Sequence, residues 1–138
     1  MKNWIIYGAT GYTGEITAKE AIVRGHKPIL AGRSLEKLKP LAESLGLTYR
    51  AFNLDEPHEL EEGLKDVELV LHCAGPFIHT SDRMIQACLQ LGINYLDITG
   101  EIPVLENTFS YHVKALEKKV ALISGVGFDV VPTDCMAK

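Results

Sequence analysis

Gly8, Gly11 and Gly14 recur at every third position where an apolar run, residues 4–7, gives way to an amphipathic one. Glycine at such a junction lets backbone N–H groups close on an anion without an intervening Cβ. A helix opening there adds its own unpaired N–H groups and its dipole. The chemistry on offer is capture of a diphosphate. Gly8 suits the tight turn off a strand, Gly11 the close approach of main chain to phosphate, and Gly14 the packing of helix on strand. Thr10 and Thr13 add hydroxyl donors, with Tyr12 beside them in the same turn. The first gap is one residue longer than in the GxGxxG fingerprint.

A second cluster follows about twenty residues on, in Ala31-Gly32-Arg33-Ser34. Dinucleotide sites that take NAD place a carboxylate here to bond the ribose 2′-hydroxyl. This chain has Gly32 at that point, then Arg33, Ser34 and, one helical turn later, Lys37. A carboxylate repels a 2′-phosphate, whereas a guanidinium bonds it as a fork and stacks on adenine. Ser34 brings a hydroxyl and a helix N-terminus. The cluster favours NADP(H) over NAD(H), with Arg33→Ala expected to erode the difference.

These groups need a scaffold, and the pattern supplies one. Short apolar runs predict strands over residues 3–7, 28–32, 48–53, 68–73, 95–98 and 120–124. Between them, amphipathic segments predict helices over 14–24, from Leu35 to Leu45, from Asp55 and Pro57 to Lys65, from Thr80 or Ser81 to Gly92, and over 103–118. Ser34 reads as an N-cap, and Pro40 falls inside the second helix, where it should bend it. Run 68–73 is almost continuously apolar, as in a strand buried on both faces. Strands alternating with helices predict an α/β Rossmann-type fold. It is a doubly wound parallel sheet of about six strands in order 3-2-1-4-5-6, with helices on both faces.

Composition narrows the functions further. Fourteen Lys and Arg against eighteen Asp and Glu leave a net charge of −4, so no basic field attracts a nucleic acid. No apolar stretch approaches the length of a membrane span. Cys73, Cys88 and Cys135 lie far apart without CxxC pairing, the pattern of reduced thiols in a cytoplasmic protein. The five histidines show no metal-ligand spacing, so no metal is expected. No tyrosine has Lys four residues on, which excludes the Tyr-x-x-x-Lys arrangement for proton transfer.

The order of motifs resembles the saccharopine dehydrogenase-like oxidoreductases, the branch that includes the trans-acting enoyl reductases. It runs from Gly8 to Gly14, through Ala31-Gly32-Arg33-Ser34 and Cys73-Ala74-Gly75-Pro76-Phe77, to Tyr95-Leu96-Asp97-Ile98-Thr99-Gly100-Glu101 and finally residues 127–134. The resemblance covers nearly the whole chain. It implies an N-terminal NAD(P)-binding domain, residues 1–127, with 128–138 opening the connection to a second domain. That domain would supply much of the substrate site and the contacts of a homodimer. It also implies that Ala74, Gly75 and Pro76 pass beside the cofactor, since strand four borders strand one across the crevice. Ser81 stands where the family usually has glycine. Asp97 and Glu101 fall at the carboxyl end of a strand, either to order the crevice or to face substrate.

The expected function is therefore NADP(H) binding for hydride transfer to or from a small-molecule substrate, the residues 1–138 alone binding without turnover. The alternative is a non-catalytic redox sensor or partner-binding module built on the same loop. No acid, base or nucleophile is assigned.

Overall fold

The computed structural model describes residues 3–137. Their strands are β1 (Trp4–Tyr7), β2 (Ile29–Gly32), β3 (Tyr49–Ala51), β4 (Leu69–His72), β5 (Asn94–Asp97) and β6 (Leu122–Ile123). Between and after them run α1 (Tyr12–Val23), α2 (Leu35–Leu45), α3 (Pro57–Gly63), α4 (Phe77–Leu91), α5 (Ile102–Ser110), α6 (His112–Lys118) and α7 (Val131–Met136). The sheet is parallel throughout, in the order β3-β2-β1-β4-β5-β6. This is the doubly wound topology that the alternating pattern predicts.

Alternation along β1 explains the two layers. Ile5 and Tyr7 point to one face and pack with Val70, Met84, Ile85, Cys88 and Tyr95. Ile6 points to the other and packs with Ala18, Leu30, Leu38 and Ala42 beneath α1 and α2. Both faces of β1 are thus dry, and Ile5 and Ile6 are fully buried. Burying such side chains is worth about 2 kcal/mol each. The register sets Tyr7 opposite both Ala31 and His72. The carboxyl ends of β1, β2 and β4 therefore finish level, and their following loops meet.

Several boundaries differ from the sequence expectation. α1 begins at Tyr12 rather than Gly14, because Gly11 already adopts the N-cap position. α2 runs through Pro40 to Leu45, and Ser34 holds its N-cap position without a side-chain cap bond. Glu56, not Asp55, precedes α3. α4 starts at Phe77, so neither Thr80 nor Ser81 caps it; Ser81 lies buried within the helix. Its cap comes from a distant residue, described below. The predicted helix over 103–118 is two helices, broken at Tyr111, whose hydroxyl bonds Asp82 on α4 at 2.8 Å.

Candidate functional site

The loop leaving β1 is tied down by its own backbone. The N–H groups of Gly8 and Ala9 both donate to the Ala31 carbonyl, at 2.8 and 3.0 Å, fastening the loop to the end of β2. Gly11 N–H closes the turn onto the Gly8 carbonyl at 3.0 Å. Gly8 has φ +87°, and a Cβ there would meet the Ala74 nitrogen at 2.7 Å. A Cβ on Gly14 would collide with the Gly8 carbonyl oxygen and stand 2.8 Å from Ala9 Cα. The loop is thus closed against β4 on one side and against its own helix on the other.

α1 opens without a side-chain cap. Its first intrahelical bond runs from Glu15 N–H to the Gly11 carbonyl at 2.9 Å. The N–H groups of the turn before it have no partner inside the helix. Such a terminus, with no Cβ at Gly11 and hydroxyls on Thr10 and Thr13, fits a diphosphate.

A cleft of about 280 Å³ lies over this terminus. The structure brings Gly8, Thr10, Gly11, Arg33, Ser34, Lys37, Ala74 and Gly75 together in its lining. Arg33 and Lys37 are exposed, and neither forms an ion pair among the described residues. Two cations without internal partners beside a helix N-terminus fit a phosphate monoester. Four predicted residues fall outside the lining. Gly14 is buried beneath the loop, Tyr12 and Thr13 are exposed on the first turn of α1, and Pro76 is exposed ahead of α4. Tyr7 also lines the cleft and escaped the sequence reading; Gly32 and Cys73 line it too, each from a motif already singled out. Burial pushes the Tyr7 hydroxyl up to about 12 against the pull of Arg33, and the Cys73 thiol likewise up to about 12. Neither is a reactive group at neutral pH.

The far wall, residues 74–78, includes a cis Gly75–Pro76 peptide and is held from three places. Thr80 Oγ1 donates to the Ala74 carbonyl at 2.7 Å, and His72 Nε2 lies 3.2 Å from the same oxygen. Nε2 also lies 3.1 Å from Thr80 Oγ1, and Nδ1 is buried without a hydrogen-bond partner among the described residues. Burial drives the His72 pKa down to about 4, opposed by that carbonyl and by the Asp97 charge. From the other side, Glu101 accepts the Phe77 and Ile78 N–H groups, both at 2.8 Å, one on each oxygen.

Asp97 and Glu101 therefore order the crevice in this chain. Asp97 is fully buried and accepts from the Tyr95 and Ser124 hydroxyls and from the Thr99 and Gly125 N–H groups. The two helices that start at the β1/β4 crevice consequently differ. α4 has a resident carboxylate on its first N–H groups, and α1 does not.

A larger cleft of about 660 Å³ lies at the opposite, amino ends of the strands, lined by Trp4, Thr17, Ala21, His26 and Leu69 among others. Ligands of open α/β sheets bind at the carboxyl ends, and the polar convergence lies there too. No group of His, Cys, Asp and Glu able to hold a metal ion occurs among the described residues. No described helix is long and apolar enough to cross a membrane.

Fold and site define an α/β dinucleotide-binding domain. The chain belongs to the family described as the saccharopine dehydrogenase NADP binding domain, whose profile matches residues 4–123. It is 32% identical over 150 residues to the human "saccharopine dehydrogenase-like oxidoreductase", covering 94% of this chain and 35% of that protein. It is equally 32% identical over 138 residues to the "trans-acting enoyl reductase" of Mycobacterium tuberculosis, covering 94% of this chain and 33% of that protein. The chain thus spans about a third of the length of these curated relatives. Among solved structures, apo saccharopine dehydrogenase (L-Glu forming) of Saccharomyces cerevisiae superimposes with a TM-score of 0.79. That match has 15% identity and covers 94% of this chain and 28% of that one. Citrobacter sp. triphenylmethane reductase, complexed with NADP(H), gives 0.70 at 18% identity, covering 88% of this chain and 48% of that one. At such identities these structures establish the shared fold. The domain is an NADP-binding domain of the saccharopine dehydrogenase-like oxidoreductases.

Proposed function

We propose that this chain is the cofactor-holding part of an oxidoreductase that prefers NADP(H) to NAD(H) and passes a hydride to or from a small-molecule substrate. One observation carries the reading. The uncapped N-terminus of α1 opens into the same cleft as Arg33, Ser34 and Lys37. In this reading Gly8, Thr10, Gly11, Tyr12, Thr13 and Gly14 form and flank the diphosphate cradle. Arg33, Ser34 and Lys37 take the 2′-phosphate, and Ala74, Gly75 and Pro76 border the second ribose. Bound NADPH supplies the hydride; the residues of the chain bind it, orient it and keep the loop in shape.

We place the cofactor domain at residues 1–127 and the start of a connection at 128–138. The family match, which ends at residue 123, and the greater length of the relatives support this. Substrate recognition and a homodimer contact belong, on this reading, to a further domain. The unpaired thiols of Cys73, Cys88 and Cys135 support a cytoplasmic setting.

Titrating the isotopically labelled chain with NADPH and following its amide resonances tests the assignment. Saturable shifts centred on residues 8–14, 33–37 and 73–76 are expected. Shifts centred on Trp4, Ala21 and His26 at the opposite cleft, or no saturable shifts, would overturn it.

A further inference from the structure

We propose that Glu101 is a positioning residue for the nicotinamide half of the cofactor, its carboxylate fixing the wall at residues 74–78 against which that half lies. The inference rests on the reading that the cleft takes NADP(H), and adds to it a residue from beyond the cleft lining.

A doubly wound sheet is two mononucleotide-binding halves that meet between β1 and β4. Arg33, Ser34 and Lys37 follow β2 and claim the adenosine half. The second nucleotide then falls on the β4 side, where the first main chain it meets is Cys73, Ala74 and Gly75. The buried Phe77 ring, 5.4 Å from that of His72, fixes this wall at one point. Ala74 and Gly75 offer no side chain for an anchor, and Gly75 and Pro76 are exposed. The main chain is held from outside the wall. His72 and Thr80 hold the Ala74 carbonyl at one end. Glu101 holds the other end, with each oxygen on a separate N–H group.

Glu101 is itself fixed in place. Its N–H donates to Thr99 Oγ1 at 3.0 Å, and Thr99 N–H donates to Asp97 Oδ1 at 3.0 Å. Asp97 is fully buried between β5 and the loop after β6. An unbroken set of bonds therefore runs from the sheet interior to the cleft wall and ends on this carboxylate. Both Glu101 oxygens are thus engaged by main-chain donors of the wall. The same contact also places a resident negative charge on the N-terminus of α4, where it repels a phosphate. At the β1/β4 crevice this leaves the diphosphate to α1.

The test compares two ligands on the 138-residue chain. NADPH occupies both halves of the cleft, and 2′,5′-ADP only the adenosine half with its 2′-phosphate. Glu101→Ala should weaken NADPH roughly tenfold, the scale of a lost charge-assisted contact. It should leave 2′,5′-ADP unchanged and reduce the fluorescence anisotropy of the bound reduced nicotinamide. Glu101→Gln keeps one accepting oxygen and should restore part of the NADPH affinity. If Glu101→Ala does not fold, Glu101→Gln carries the same comparison with a smaller difference. Equal weakening of both ligands would make Glu101 a general support of the fold, and no change in either would make it idle. Either result overturns the proposal. Failure of the unaltered chain to bind either ligand is a separate result; it would reject the cofactor reading and this inference with it.

Discussion

At Gly8 and Gly14 the reason for glycine is a collision rather than a preference. A side chain at Gly8 would press on the Ala74 backbone, and one at Gly14 on the Gly8 carbonyl, so neither neighbour can rotate aside. Gly14→Ala should cost roughly 2 kcal/mol of stability and abolish NADPH binding, read by urea unfolding and by calorimetric titration. A variant with wild-type stability and affinity would contradict the loop geometry. His72 makes a pH-dependent contribution of definite sign. It takes up its proton near pH 4 in the folded chain and near 6.5 when unfolded. Between those values the unfolded chain holds more protons, so stability falls as pH drops through the window. The full gap amounts to about 3 kcal/mol. Urea unfolding at pH 7 and pH 4.5 should show a larger loss for the wild type than for His72→Gln, and equal losses would remove His72 from the account. Gly8, Arg33 and Lys37 were legible in the sequence because a turn and a charge at fixed spacing carry their own meaning. Tyr7 was not. It reads as an ordinary strand-end residue until the register brings β1 and β4 level.

Among the elements, the helix starts were hardest to read, and α4 shows why. Its cap is Glu101, a residue 24 positions away, so no local pattern around Thr80 or Ser81 could reveal it. α1 began earlier than expected for the related reason that Gly11 needs no side chain to take the N-cap position. The division of the predicted helix 103–118 at Tyr111 coincides with that residue's hydroxyl donating to Asp82 and accepting from Gln86 on α4, again a tertiary cause. β5 and β6 depend on Asp97 in the same way. Asp97→Ala removes the acceptor of four donors, two of them main-chain N–H groups, and should cost roughly 3 kcal/mol or more. Asp97→Asn keeps an accepting oxygen and should lose less. Denaturation midpoints decide this, and an unchanged midpoint for Asp97→Ala would show that the β5–β6 edge does not need it.

For the whole molecule, the order of strands was legible because short apolar runs alternate with amphipathic segments behind a glycine-rich first βα turn, the arrangement of the dinucleotide-binding sheet. Both faces of β1 are buried, and the level carboxyl ends of the central strands leave a crevice where cations, hydroxyls and an open helix terminus converge. Family membership and geometry agree on the nucleotide, while the substrate side lies with the further domain we infer. On our proposal Arg33, at the end of β2, reads the 2′-phosphate of NADP(H). Dissociation constants for NADPH and NADH, measured on the wild type and on Arg33→Ala, decide this. NADPH should bind the wild type at least roughly tenfold more tightly than NADH, and Arg33→Ala should erase most of that ratio by weakening NADPH far more than NADH. Equal affinities for the two nucleotides in the wild type, or a ratio that survives Arg33→Ala, would contradict it.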